Sequence, residues 1–340
     1  MKEVKIMRLI INIVTYTLLF YILYKLYRKQ KILKILKFKN VEIINYKDYI
    51  PKKRESALAI KKHKIKSDLV SEVMDYYVIL PNNYDNMKKY PVLFFLHGLG
   101  DSAIDWIEKA KLLESYDTLI NNNKIKDMIL VLPESGANGR SWYTNWYNIS
   151  NKKYEDFFTD ELINDIQKKY NIDTNNMGIT GFSMGGYGAY KLALKHLDKY
   201  KSIASLAGAI NFPRLFSRLL KGFGLLKHLK LSDKNQELRN LRKIFGKKIR
   251  YSNNENVFTL LKRKMNENIE LVKSKYFYLS VGEYDNKGYT MLLQWEDIVE
   301  HMEKHHLNYE ARLVKGEGHR WEYVEKEIES VLLFHSKHFD

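Results

Sequence analysis

The sequence predicts an α/β fold in which a mostly parallel central sheet is flanked by helices, and three observations carry that prediction. Short apolar runs such as 91–96, 128–132 and 176–182 read as buried strands. Helical periodicity follows a strand at 186–195, the alternation that builds a parallel sheet. Residues able to do chemistry fall in the loops directly after strands: His97-Gly98, Ser183, Asp285 and His319. A chain of 340 residues that is 45% hydrophobic holds one large domain of this kind plus a short extra segment. No cysteine is present, so there is no disulfide framework, thiolate metal site or cysteine nucleophile. Five prolines and no Ser/Gly-rich tract argue against long flexible linkers.

The N-terminus comes first and differs in kind. Residues 9–24 carry no charge and with their flanks approach the ~20 residues that cross a bilayer. Tyr21, Tyr24 and Tyr27 suit an interfacial belt. Lys2, Lys5 and Arg8 would fit a signal peptide, but no small-residue cleavage site follows. Residues 1–27 are therefore expected to be a single-pass membrane anchor, and 28–66 a basic juxtamembrane stem. Residues 1–66 carry a net charge of +14 and residues 213–250 one of +10, which leaves the remainder at −7. The body is thus acidic, and no nucleic-acid partner is expected. Seven Lys/Arg between Lys25 and Lys39 read as a segment for an anionic lipid surface, with a solvated stem as the alternative. These residues favour a body on the cytoplasmic side, while the basic residues before the apolar run pull the other way.

From residue 67 to 340 the chain reads as the catalytic body. The strand at 91–96 ends in His97-Gly98-Leu99-Gly100-Asp101. A glycine there lets the backbone curl so that the N–H of Leu99 points to where a substrate carbonyl oxygen would sit. His97 is expected to shape that loop, and Asp101 is given no catalytic role. After the strand at 128–132 comes Ser141-Trp142-Tyr143-Thr144-Asn145-Trp146. Trp142 and Trp146 would line a cleft as aromatic platforms, or else brace the loop. Next, Gly181-Phe182-Ser183-Met184-Gly185 is a G-x-S-x-G elbow between a strand and a helix, the device by which α/β-hydrolases expose a nucleophilic serine. Alone it arises by chance on the order of once in twenty such chains, and a glycine-rich turn that packs or holds phosphate is the alternative. The N–H of Met184 would be the second oxyanion donor.

Beyond the strand at 202–207, about seventy residues are helical in pattern and form an expected cap at about 211–272. Arg214, Arg218 and Lys221 share one face there, and Leu215, Phe216, Leu219, Leu220 and Phe223 form a stripe interrupted by Gly222 and Gly224. The strand at 276–282 is followed by Glu283-Tyr284-Asp285, and the alternating run at 309–315 by Gly316-Glu317-Gly318-His319. A serine needs a base and an orienting acid. The order Ser183, Asp285, His319 is that of α/β-hydrolases and not of chymotrypsin or subtilisin. Glu283 is the alternative acid. His301 and His305 share a helical face, but His-Met-Glu-Lys-His is no zinc motif, and neither a metal nor a cofactor is expected. His335 and His338 fall near the end of the last helix, where histidine complements the dipole.

These blocks, in this order, resemble the esterase family of α/β-hydrolases that includes esterase D (S-formylglutathione hydrolase), feruloyl and acetylxylan esterases, siderophore esterases and the mycolyltransferases. The resemblance covers about residues 70–335 and rests on His97-Gly98-Leu99-Gly100 with Trp106, the block from Ser141 to Trp146, the elbow through Ala189, Gly282-Glu283-Tyr284-Asp285 and Gly318-His319-Arg320-Trp321. It implies an α/β-hydrolase fold with Ser183 as nucleophile, His319 as base and Asp285 as orienting acid. Gly98, Trp142 and Trp146 stand as candidate substrate contacts. The stretch at about 213–250 departs from the family in being longer and more basic. The expected activity is hydrolysis of a small-molecule, carbohydrate or lipid ester. Acyl transfer to a sugar or lipid alcohol, and a non-catalytic binding protein of the same fold, are the alternatives. A peptidase is disfavoured because no propeller or other large exclusion domain is visible.

Overall fold

The computed structural model describes residues 2–46, 49, 56, 58–211, 236–246, 254–285 and 290–340. Its strands are β1 (Val41–Ile44), β2 (Ile60–Ser67), β3 (Glu72–Ile79), β4 (Tyr90–Leu96), β5 (Ile129–Pro133), β6 (Ile172–Phe182), β7 (Ser202–Leu206), β8 (Tyr276–Gly282) and β9 (Asn308–Val314). They form one nine-stranded sheet in the order β1-β9-β8-β7-β6-β4-β5-β3-β2. Pairing is antiparallel only where β3 meets β2 and β5, and parallel elsewhere. β5 and β7 are buried at every residue, as strands covered on both faces of the sheet must be. The loops after β4, β6, β8 and β9 therefore emerge together at the carboxyl edge of the sheet, where open α/β sheets bind ligands.

The helices are α1 (Lys2–Ile35), α2 (Asp105–Glu108), α3 (Leu112–Asn121), α4 (Tyr154–Asp156), α5 (Leu162–Lys169), α6 (Met184–Lys195), α7 (Gln236–Phe245), α8 (Val257–Lys273), α9 (Met291–Lys304) and α10 (Trp321–His338), with a π turn at Phe157–Glu161 between α4 and α5. α10 packs on β6, β7 and β8 and against α3, whereas α6 packs on β4, β6 and β7 with α8 behind it, and α9 lies on β8 and β9. α7 and α8 are the described part of the expected cap. Its basic face at Arg214, Arg218 and Lys221 and its stripe from Leu215 to Phe223 lie outside the described residues.

α1 holds one span, Ile10–Ile35, that is long and apolar enough to cross a membrane, with a mean hydropathy of 1.5. Its side chains from Ile10 to Tyr27 are exposed. Beyond Tyr27 the described residues of the expected stem lie against the rest of the chain. Arg28 pairs with Glu296 of α9, Lys31 Nζ lies 2.9 Å from Asp297 Oδ1, and Lys34 Nζ lies 3.0 Å from Glu300 Oε1. Ile35 is fully buried. β1 then extends the sheet beside β9, and β2 forms a hairpin with β3. The physical reason is backbone satisfaction: β9 would otherwise end the sheet with a row of unpaired amide groups. Tyr46 fastens the same segment by donating to Glu327 Oε1 at 2.7 Å. Among the described residues, 28–46 and 60–66 thus pack on the body.

His335 also departs from expectation. It is fully buried, with Nε2 3.1 Å from Thr180 Oγ1 and Nδ1 2.7 Å from Ser202 Oγ, so it serves the core rather than the helix dipole. Burial pushes its pKa down to about 3.

Candidate active site

Ser183 sits between the end of β6 and the start of α6 with φ 56° and ψ −115°, a backbone conformation rare for any residue but glycine. Three backbone hydrogen bonds hold it there: its N–H donates to Leu206 O at 2.9 Å, and its carbonyl accepts from Tyr187 N–H at 3.1 Å and from Ala209 N–H at 3.4 Å. The flanking glycines answer to close approach. A Cβ on Gly181 would fall 2.1 Å from the Gly185 carbonyl carbon, and one on Gly185 would fall 1.9 Å from Leu96 O. Only without those carbons does α6 come near enough to β4 and β6 to lift the serine above the sheet.

The structure brings the three expected polar residues into one line. His319 Nε2 lies 2.8 Å from Ser183 Oγ, and His319 Nδ1 lies 2.8 Å from Asp285 Oδ2. Asp285 is buried and His319 only partly so, which leaves the imidazole open on the substrate side. Phe182 tilts beside the His319 ring with centroids 4.9 Å apart and helps to fix its plane. The alternative acid is committed elsewhere: Glu283 Oε2 accepts from Gly316 N–H at 3.1 Å and so steadies the loop that carries His319.

Leu99 and Met184 both line the cavity with Ser183. The Leu99 amide is oriented from behind by His97, which is fully buried. Ser135 N–H donates to His97 Nε2 at 2.9 Å, so Nε2 is the acceptor and Nδ1 carries the proton, which it gives to Gly98 O at 2.9 Å. The Gly98 carbonyl and the Leu99 N–H belong to one planar trans peptide. Pinning the carbonyl toward His97 aims the N–H away from it. Tyr143 secures the same corner by donating to His97 O at 2.9 Å.

The cavity over Ser183 is about 510 Å³ and mixes apolar walls, Trp142, Leu241, Met291 and Trp321, with the charged groups Asp101, Arg140 and Arg320. Of the three expected substrate contacts, only Trp142 is on the wall. Gly98 lies behind Leu99 against Asp101 and Phe182. Trp146 faces the other way: its Nε1 donates to Ser141 O at 3.2 Å and its ring lies 5.8 Å from that of Tyr154, so it braces the loop. Asp101, given no role from the sequence, is a wall residue whose carboxyl burial pushes above the ordinary range. Arg140 and Met291 had no signal in the sequence. Arg140 immediately precedes the Trp142 block, whereas Met291 reaches the cavity only through the docking of α9. Among the described residues, no group of three or more His, Asp or Glu is placed to hold a metal.

Sequence reasoning also missed the support beneath the elbow. Lys191 of α6 is fully buried and donates to Tyr143 O at 2.8 Å, Thr144 Oγ1 at 2.6 Å and Glu155 Oε2 at 2.7 Å. Lys195 lies 2.7 Å from the same Glu155 oxygen. Burial alone would raise the Glu155 pKa, but the two lysines and His196 outweigh it and hold the carboxyl well below the ordinary range. The helix that starts after Ser183 is thereby tied to the loop that carries Trp142 and Tyr143, both of which have positive φ.

Comparison with known proteins agrees with this architecture. The family model described as "Putative esterase" matches residues 67–330. An esterase of Mycobacterium tuberculosis is 28% identical over 160 residues, which is 44% of this chain and 31% of that protein. S-formylglutathione hydrolase of Arabidopsis thaliana is 27% identical over 172 residues, 44% of this chain and 57% of the relative. The chain thus spans less than two thirds of the length of these curated relatives. A solved ferulic acid esterase has the same fold, with a TM-score of 0.65 and 22% identity over 83% of this chain and 99% of its own. With the family model covering most of the chain, over an α/β-hydrolase sheet that carries the elbow serine at its carboxyl edge, the chain belongs to this esterase family.

Proposed function

We propose that the protein is a membrane-anchored serine carboxylesterase. The hydrogen-bonded line Ser183–His319–Asp285, whose first two members line the cavity, is the observation that carries this reading. Ser183 Oγ attacks the ester carbonyl as His319 Nε2 takes its proton, and Asp285 holds Nδ1–H and stabilises the imidazolium. The N–H groups of Leu99 and Met184 receive the negative charge that develops on the carbonyl oxygen. The tetrahedral adduct collapses, the ester C–O bond breaks, and His319 returns the proton to the leaving alkoxide. Water, deprotonated by the same nitrogen, then attacks the acyl carbonyl, the bond to Ser183 Oγ breaks as His319 returns the proton to that oxygen, and the acid leaves. Hydrolysis ranks ahead of acyl transfer because Asp101, Arg140 and Arg320 make part of the cavity wall polar, a lining that admits water. Residues up to Tyr27 form the anchor, and the chain from Arg28 onward forms the body.

Nitrophenyl esters of increasing acyl length, turned over by the wild type and by Ser183→Ala, test this assignment. Wild-type turnover that disappears in the variant is expected. Equal rates for both, whether high or nil, would remove the serine mechanism.

A further inference from the structure

α1 and α9 lie side by side and run in the same direction. Arg28 meets Glu296, Lys31 reaches both Asp297 and Glu300, and Lys34 meets Glu300. Going forward along α1 goes forward along α9, so the N-terminal part of α1 leaves the body past the first residue of α9. That residue is Met291, which lines the cavity over Ser183. From Glu296 back to Met291 is about 7.5 Å along the helix axis, and the same step back from Arg28 reaches the level of Leu23. Leu23 lies inside the exposed apolar stretch that ends at Tyr27. The sheet agrees, because α9 enters at the carboxyl edge after β8 and returns the chain to the start of β9.

The joint has no slack. α1 is unbroken from Lys2 to Ile35, and the part that projects past the level of Leu23 extends about 32 Å, comparable with a ~30 Å hydrocarbon layer. Asp297 also ties in the chain leaving β7: its Oδ2 accepts from Asn211 Nδ2 at 3.3 Å, while Gln294 Oε1 accepts from Asn211 N–H at 2.7 Å. The sequence that leaves from there carries a net charge of +10 over residues 213–250, the complement of anionic headgroups.

Resting on the reading of α1 as a membrane anchor, we propose that the carboxyl edge of the sheet, with Ser183, faces the lipid bilayer, and that the substrate is an ester held at the bilayer surface. Access to Ser183 is then from the lipid side, and the ladder of ion pairs between α1 and α9 sets that orientation.

The chain has no cysteine, so an introduced one carries a fluorophore at a single place. Lys315→Cys labels the carboxyl edge just past β9, and Met87→Cys, at a side chain 84% exposed, labels the opposite edge before β4. The full chain is reconstituted in vesicles of phosphatidylcholine and phosphatidylglycerol containing a lipid with a nitroxide headgroup. A body of this size is roughly 50 Å across, so strong quenching is expected at position 315 and none at 87. Equal quenching at both positions, or stronger quenching at 87, overturns the orientation. Failure of the chain to float with the vesicles overturns the anchor reading beneath it. Neither result touches the serine mechanism, which Ser183→Ala tests separately. In Arg28→Ala/Lys31→Ala/Lys34→Ala, the contrast between the two positions should collapse while turnover of soluble nitrophenyl butyrate persists. A contrast that survives would refute the role of the ladder.

Discussion

Removing His97 tests how the proposed oxyanion donor, the N–H of Leu99, is aimed. His97→Ala deletes the Nδ1–H that holds Gly98 O and the Nε2 acceptor that satisfies Ser135 N–H. If the Leu99 N–H loses its aim, kcat should fall about 10²- to 10³-fold, or about 3–4 kcal/mol of transition-state stabilisation, with KM little changed. Leaving a buried donor unsatisfied should separately lower stability by about 1–3 kcal/mol. Two further variants separate the effects by geometry. The side-chain amide of Asn reaches the position of Nδ1 and that of Gln the position of Nε2, so His97→Asn should recover much of kcat and His97→Gln should recover stability alone. Steady-state kinetics on nitrophenyl butyrate, with denaturant unfolding of the same preparations, reads both quantities. A folded His97→Ala enzyme with near wild-type kcat, or an Asn variant as slow as Ala, would refute the reasoning.

Asp285→Asn should reduce kcat by about 10⁴-fold at similar KM, because the wrong imidazole tautomer then faces Ser183. Glu283→Gln, which changes only the partner of Gly316 N–H, should remain within about tenfold of wild type, and the two rates together check which acid orients His319. Lys191→Met should destabilise the fold by about 3 kcal/mol in denaturant unfolding, the lower end for a broken buried pair because Lys195 still faces Glu155. Adding Glu155→Gln should recover part of that loss, and a double variant weaker than the single would contradict the pairing. His335 gives the pH dependence. The folded state keeps it neutral down to about pH 3, whereas the unfolded chain protonates it near ~6.5. Between those values the unfolded state binds more protons, so stability should fall with falling pH by up to about 1.4 kcal/mol per unit. Unfolding of wild type and His335→Gln across that window should show a shallower slope in the variant.

The strands and the three polar residues that meet at the elbow were legible because each has a local signature. Residues 91–96 and 128–132 are apolar runs that can only be buried, and Ser183, Asp285 and His319 each fall in the loop after a strand. The choice of Asp285 over Glu283 was open in the sequence, and the hydrogen bond from Gly316 N–H to Glu283 shows why both carboxylates stand there. The docking of α1 was illegible for the opposite reason. Arg28 and Glu296 lie 268 positions apart, and a basic run has the same composition whether it meets lipid or a neighbouring helix. Trp142 and Trp146 look equivalent in the sequence, and only the turn at residues 142 and 143 sends one to the cavity and the other to Tyr154.

The φ of 56° at Ser183 sets the interests of folding against those of chemistry. A non-glycine residue held in such a region carries about 1–3 kcal/mol of strain, which the packing of α6 against β4 and β6 must absorb. Glycine would adopt the same turn without it, so Ser183→Gly should melt at a higher temperature than the wild type while being inactive. At this one position the residue that folds most easily is the one that cannot react. The stability surrendered there is what holds a hydroxyl clear of the sheet.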